Sequence, residues 1–419
     1  MTAVGSPHVV VLDRLPLVAG LDLLVVADPD GDPHGDPRPV PWVAAEGRRA
    51  EPGDHAAVAL VALLAEGSRQ VGRFRVTSWQ GAALVGERSF GVDQTNESVV
   101  VGERAVVKWM RVAEPGPHPA PPMLAALTAR GFAGTPRPWG LIEWQGPDDA
   151  APRLLATVDT LLKDAVDGWT WAVDDVRAAV DSGSTAVVEE SGARLGALVA
   201  DLHAALAGTG RAATAADVAA WGADATADLT QALAVTSGPA HDLLAARAEE
   251  VRRRLAVPDR LVGSPLILAH GDLHVGQVLR AGDTYVVTDF DGNPVVPAGQ
   301  RTTPQPAALD VAGMAQSITH AAYVLRKHEP DRPVADVRAA SDAFVSAFLT
   351  TYAERLDGLG AAELLEPALI EPFRLRQVCR EFTYAATHLP RWSYVPEAAI
   401  VDLLDEPPHD PALDHTENR

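Results

Sequence analysis

Two acidic stretches flanking one short hairpin constrain this chain more than anything else in it. His270-Gly271-Asp272-Leu273-His274-Val275-Gly276-Gln277 is followed by Val286-Val287-Thr288-Asp289-Phe290-Asp291. An acid and an amide stand five residues apart, and two more acids follow a short apolar strand. Phosphoryl transfer needs such a set: one carboxylate to orient a hydroxyl, and oxygen ligands to hold Mg2+ against phosphates. The plain alternative is a surface hairpin that is merely acidic. Residue types, their order and the flanking strands all argue against it.

The protein-kinase pattern H-R-D-x-x-x-x-N … D-F-G follows the same spacing. Here Gly271 replaces its arginine, Gln277 its asparagine and Asp291 its glycine. H-G-D-x-H … D-F-D resembles the aminoglycoside-phosphotransferase branch of the kinase-like fold. With the x-G-Q-V-L that continues it, the stretch is most similar to actinobacterial maltokinases and maltokinase-like glucosamine kinases. The resemblance implies an α+β chain of bilobal kinase-like fold, with a β-rich small lobe, a mostly helical large lobe and an N-terminal β-rich cap. It implies Asp272 as catalytic base, Gln277 and Asp289 as Mg2+ ligands, Asp291 as a further ligand, and ATP as phosphoryl donor.

Length and charge set the outer bounds. A chain of 419 residues exceeds one compact core. We expect a cap over residues 1–85, a small ATP-binding lobe over 86–165 and a helical lobe over 166–419. A net charge of −21 argues against a general nucleic-acid binder. ATP is not excluded, because Mg2+ and local cations decide that site. Cys379 is the single cysteine, so no intrachain disulfide exists, and a buried thiol is expected. No signal segment is visible at the N-terminus, and no apolar run nears the ~18 residues of a membrane span. A cytoplasmic, monomeric protein without membrane partners is expected.

Residues 1–85 read as β-rich, with strands at 9–12, 23–27 and 73–76 and an apolar helix over 55–66. The segment Asp28 to Pro41, dense in Pro, Gly and Asp, reads as a loop. Ser98–Val101 and Ala105–Lys108 read as two strands joined by a turn. Lys108, at a strand end, suits contact with the α- and β-phosphates, and its surroundings resemble the maltokinase pattern. The polar loop Ser89 to Asn96 stands where a glycine-rich loop would be, and Thr95 and Asn96 are its candidate phosphate donors. Kinases pair the ATP lysine with a glutamate on the next helix. Here His118 to Met123 holds no carboxylate, and its prolines should delay the helix to about Met123.

Residues 154–162 read as the last small-lobe strand. The resemblance puts adenine contacts at Thr160, Leu161 and Leu162. Asp167 suits either a ribose contact or a helix N-cap. His203 reads as structural, as does Asp310, which resembles the acid that braces the catalytic loop through backbone hydrogen bonds.

A second stretch, Gln377 to Trp392, combines aromatic faces with acids and amides, as sugar sites do. Spacing puts Gln377, Glu381, Tyr384 and His388 on one helical face, with Trp392 beyond it. A packed helix with a satisfied polar face is the alternative. Maltokinases have a pattern near Y-E-x-x-Y-E-x-x-N-R-P-x-W here. This chain keeps Glu381, Tyr384, Pro390 and Trp392 but has Arg380, Ala385, His388 and Leu389 at the other positions. The changed version resembles the glucosamine kinases, in which a carboxylate would meet a protonated amino group. Glu381 is the expected partner, and the 6-hydroxyl of glucosamine the expected acceptor. Maltose, an aminoglycoside acceptor and a non-catalytic scaffold remain as alternatives.

Overall fold

The computed structural model describes residues 10–27, 35–91, 96–257 and 259–405. They fall into two compact units, one drawn from residues 1–164 and 289–302, the other from 165–288 and 303–419. The expected strand residue Val9, residues 28–34 of the expected 28–41 loop and the phosphate-donor candidate Thr95 lie outside the described residues.

In chain order the first unit contains β1 (Val11–Val18), β2 (Leu21–Val26), β3 (Arg38–Val43), β4 (Arg48–Arg49), α1 (Ala56–Leu64), β5 (Arg69–Val71) and β6 (Phe74–Ser78). These are followed by β7 (Glu87–Ser89), β8 (Glu97–Val101), β9 (Ala105–Trp109), α2 (Ala120–Ala129), β10 (Pro138–Trp144) and β11 (Arg153–Thr160). β1 to β4 form one antiparallel sheet in sequence order. The other strands form a second antiparallel sheet in the order β5-β6-β10-β11-β9-β8-β7. This sheet crosses residue 85. Leu23 of the first sheet, Leu60 of α1, and Phe74, Val107 and Leu155 of the second share one apolar core.

Two local expectations are corrected. Pro39 and Pro41, placed in a loop, lie inside β3. Pro41 turns its carbonyl away from β2, toward Ala50, and Pro39 shares its orientation, so the N–H groups that proline lacks would point away from β2. Helix α2 begins at Ala120 rather than near Met123. Its prolines sit in the first turn, where backbone N–H groups have no intrahelical partner to lose.

Among the described residues, the second unit's only paired strands are those of one hairpin, and its other regular elements are helices. It contains α3 (Gly168–Ser182), α4 (Ala186–Leu206), α5 (Ala215–Val235), α6 (Gly238–Arg254), β12 (Val278–Ala281), β13 (Thr284–Val287), α7 (Ala308–His328), α8 (Val334–Gly358), α9 (Ile370–Thr387) and α10 (Tyr394–Asp405). The stripe Leu195, Leu198, Val199, Leu202 and Leu206 on α4 is buried throughout. Cys379 is fully buried, and burial pushes its thiol up to about 12, which leaves it unreactive near neutral pH. Among the described residues no helix is long and apolar enough to cross a membrane.

Candidate active site

The loop His270–Gln277 is held chiefly by backbone hydrogen bonds. Asp310, in the first turn of α7, accepts the N–H of His270 and the N–H of Gly271, both at 2.8 Å. His203 on α4 reaches the same carboxylate at 3.2 Å and touches the Tyr352 hydroxyl at 2.7 Å with its other ring nitrogen. Burial alone would raise Asp310, but His203, His270 and the Gly271 N–H outweigh it and hold the carboxyl below its ordinary value. The structural roles expected of His203 and Asp310 are the ones observed.

Local geometry explains the residue choices. Gly271 has φ +79°, a conformation that side chains disfavour. Gly168, at the start of α3, lies so close that a Cβ there would sit 1.6 Å from the Val275 carbonyl oxygen. The loop therefore packs directly against that helix. The His270 ring contacts the Thr288 carbonyl at 3.0 Å, and the Thr288 N–H donates to the Gln277 carbonyl at 2.8 Å. Arg280 on β12 ties the hairpin to Asp175 of α3 at 2.7 Å. Asp272 and Gln277 thus project from a loop pinned at both ends.

In the first unit, the two acids after β13 meet Lys108. The ammonium donates to Asp289 at 2.8 Å and to Asp291 at 2.6 Å. Burial opposes its charge, but Asp291 and Asp289 outweigh burial and raise Lys108 above its ordinary value, so it stays protonated. Asp289 itself has φ +65°, uncommon for a residue with a side chain. Arg301 fixes the segment by donating to Glu114 at 2.7 Å and to the Val296 carbonyl at 2.8 Å. Asn96, a phosphate-donor candidate, instead caps the Arg111 N–H with its side-chain oxygen.

The helix after β9 carries no acid for Lys108, as its sequence required. The structure supplies other neighbours that sequence reading missed. Lys108 stands opposite Thr157, so Asp159 is its diagonal neighbour on the same face of the sheet. Burial lifts Asp159 to about 7, against the pull of Lys108 and of Thr157. His118 lies 3.9 Å from Asp291 and is pushed down, chiefly by burial. The register of β11 against β9 is the signal that singles out Asp159, and it is not written in either strand alone.

Two of the expected adenine contacts have their N–H groups engaged inside the lobe. The Thr160 N–H already donates to the Arg137 carbonyl at 2.9 Å, and the Leu161 N–H to the Arg104 carbonyl at 2.8 Å. Strand pairing uses both donors, so only Leu162 of the three remains as an N–H candidate. Asp167 is the N-cap of α3: its carboxylate accepts the Thr170 N–H at 3.0 Å and the Thr170 hydroxyl. A ribose contact would have to compete with that cap.

The α9 stretch divides in two. Gln377 donates to Glu381 at 3.0 Å, and both are partly buried. Tyr384 and His388 sit beside each other with ring centres 5.3 Å apart, but both are exposed. Trp392, past the helix end, is also exposed and stacks on Tyr394. On the buried half, Glu381 faces His320 of α7 at 3.2 Å. Arg380 donates to Gln377. Burial and Arg376 push Arg380 below its ordinary value, while Asp228, Glu381 and Asp272 act in the opposite direction. The acid of the catalytic loop and the acid of α9 therefore both lie within electrostatic reach of Arg380. Nothing in the α9 stretch itself pointed to His320, which comes from another helix.

The family model for the phosphotransferase enzyme family matches residues 73–347. The chain belongs to the phosphotransferase enzyme family. A glucosamine kinase from Mycolicibacterium smegmatis is 48% identical over 404 residues, covering 94% of this chain and 98% of that protein. A glucosamine kinase from Streptacidiphilus jiangxiensis is 48% identical over 369 residues, covering 86% and 83%. A solved glucosamine kinase in complex with glucosamine, ADP and inorganic phosphate superposes with TM-score 0.84 at 44% identity, covering 96% of this chain and 95% of that one. This phosphotransferase therefore has the kinase-like fold that its catalytic hairpin implied, over nearly its whole length.

Proposed function

We propose that the chain is an ATP-dependent glucosamine kinase, transferring the γ-phosphoryl group of ATP to the 6-hydroxyl of glucosamine. One observation of the structure carries the choice of sugar: a buried carboxylate oxygen of Glu381 has no hydrogen-bond donor. An anion of that kind is costly to bury unless a ligand cation meets it, and the 2-ammonium group of glucosamine is such a cation. The glucosamine kinases similar over most of the chain support the same reading.

Asp272 is the base in this reading. The braced loop holds it where it can orient the sugar hydroxyl and accept its proton as transfer proceeds. Lys108 meets phosphate charge in both ground and transition states. Glu381 takes the ammonium group, with Gln377 holding its other oxygen. Tyr384, His388 and Trp392 offer an exposed aromatic edge suited to the sugar's C–H faces.

The donor chemistry fits Mg2+. Asp289 and Asp291 already gather around one cation, the Lys108 ammonium, and carboxylate oxygens are the hard ligands Mg2+ takes. In this reading Asp289, Asp291 and the Gln277 amide would hold the metal, which would supply charge neutralisation for the phosphates. The Lys108 ammonium then has to exchange its two acids for phosphate oxygens.

ADP release measured with glucosamine, glucose, N-acetylglucosamine, maltose and kanamycin tests the assignment. Glucosamine should give the highest kcat/KM. A higher value for any other acceptor, or ATP turnover that no sugar stimulates, would overturn it.

A further inference from the structure

Lys108 needs a second anion as soon as its present two are put to other use. A lysine ammonium is a point charge on a flexible four-carbon stem, and kinases steady it with a helix glutamate. Helix α2 offers none. The acids that hold Lys108 here, Asp289 at 2.8 Å and Asp291 at 2.6 Å, are the two proposed as metal ligands. A carboxylate that serves Mg2+ no longer serves the ammonium in full. Glu114, another acid of this unit, is committed to Arg301 at 2.7 Å.

Asp159 stands where such an anion is needed. β9 and β11 pair so that Lys108 lies opposite Thr157, and Val106 opposite Asp159. Residues two apart on a strand share a face, so Val106, Lys108, Thr157 and Asp159 line one side of the sheet. Ala105, Val107 and Trp109, on the other side, belong to the apolar core. Diagonal neighbours on one face are about 7 Å apart, within reach of a long side chain. Burial lifts Asp159 to about 7, and Lys108 is the first of the groups that pull it back. Asp291 adds to the lift, because three acids crowd one ammonium. Removing Asp289 and Asp291 from that competition leaves the charge of Lys108 to Asp159.

We propose that Asp159 is the positioning residue of the ATP lysine: it takes over Lys108 when Asp289 and Asp291 are engaged by the metal, and aims it at the phosphates. The inference rests on the reading of Lys108 and of those two acids given above. The ammonium has three N–H donors. One turned to Asp159 leaves two for phosphate oxygens. An aspartate on a neighbouring strand thereby does the work of a helix glutamate. Ladder hydrogen bonds join β9 to β11, so this support does not depend on where α2 sits.

Asp159→Asn keeps the shape and removes the charge. Mg-ADP affinity by calorimetry should fall about tenfold, the effect of one hydrogen bond to a charged group. KM for ATP should rise to match, while KM for glucosamine stays within about twofold. The melting temperature without nucleotide should not fall, since a buried acid has been neutralised. Lys108→Met should weaken Mg-ADP roughly thirtyfold. Adding Asp159→Asn to Lys108→Met should then change the affinity less than about twofold, because no ammonium is left to steady. Unchanged affinity in Asp159→Asn, or a further tenfold loss in the double variant, overturns the proposal. So does a nucleotide-free melting temperature lowered by more than about 5 °C in Asp159→Asn, which would make the acid a part of the sheet alone. The single variants separate the two ideas. A loss in Lys108→Met without one in Asp159→Asn removes the role of Asp159 only. Full affinity in Lys108→Met removes Lys108 as the ATP lysine, and the role of Asp159 with it.

Discussion

The loop around Asp272 and the partly buried half of α9 both hold a carboxylate, but by different means. The loop around Asp272 is fixed by backbone groups: Asp310 takes two successive N–H groups, and Thr288 contacts both Gln277 and His270 through its own main chain. Glu381 on α9 is held by one side-chain hydrogen bond, from Gln377 on its own helix, with His320 of α7 3.2 Å from its other oxygen. Bonds to the loop's own backbone fix where its acid sits without engaging the acid's side chain. Side-chain contacts can be rewired by one substitution. On the proposed reading, the phosphoryl-transfer chemistry stands on the first kind of support and the choice of acceptor on the second.

The largest expected effect tests the first half of that contrast. Asp272→Asn should lower kcat about a thousandfold, within the range for loss of a general base, and equally for glucosamine and glucose. Affinity for Mg-ATP should stay within about twofold by calorimetry. If the variant kept a third of its activity, Asp272 would not be the base. A loss confined to glucosamine would mean that the loop, too, selects the sugar.

Asp310→Asn attacks the brace beneath the loop. Asparagine can accept one of the two N–H groups but presents NH2 to the other or to His203. A loss of roughly 3 kcal/mol is expected by urea unfolding at neutral pH, because a buried charged hub loses its charge. The pH dependence has a definite sign. Asp310 lies below the ordinary carboxylate value, so its contribution is present above that value and is lost as pH falls through the folded one. The gap between variant and unaltered protein should therefore narrow only below about pH 4. A gap that did not change with pH would show that Asp310 acts through shape alone.

Much of the first region was legible in the sequence, because its chemistry is compressed into about twenty consecutive residues. His270 to Asp291 carries the residue types, the order and the strand signals together. Asp310 was legible through its short local pattern. The surroundings of Lys108 were not, because Asp159 becomes its neighbour only through the register of β11 against β9. That the N–H groups of Thr160 and Leu161 are spent on Arg137 and Arg104 was likewise not readable from their own segment. On α9, helical periodicity put Gln377, Glu381, Tyr384 and His388 on one face. It could not show that the face runs from a partly buried end to an exposed one. His320 comes from a helix whose other residues are mostly apolar, and a polar residue in such a helix was the only hint.

The second half of the contrast is tested by Glu381→Gln. Glucosamine kcat/KM should fall about ten- to a hundredfold relative to glucose, corresponding to the roughly 1.5–3 kcal/mol of a hydrogen bond to a charged group. Unfolding stability should change little or rise, since a buried charge without a donor has been removed. A drop of equal size on both sugars would make α9 a packed helix with a polar face. The contrast between the two carboxylates would then be one of position only.

The smallest effect falls on the residue that steadies Glu381 without facing the substrate. Gln377 donates to Glu381 Oε1 and accepts from Arg380, so it links Glu381 to the cation that both Glu381 and Asp272 influence. Gln377→Met keeps the length and loses both contacts. One partly buried hydrogen bond contributes about 1 kcal/mol, so KM for glucosamine should rise about fivefold. kcat should hold, because Asp272 is fixed by Asp310 and not by α9. Glucose should be affected less than twofold, since it draws little on the charge of Glu381. If kcat fell with KM for both sugars, Arg380 would be transmitting the change to Asp272. The two supports would then be coupled through that guanidinium, and the division between backbone-held chemistry and side-chain-held selectivity would fail at Arg380.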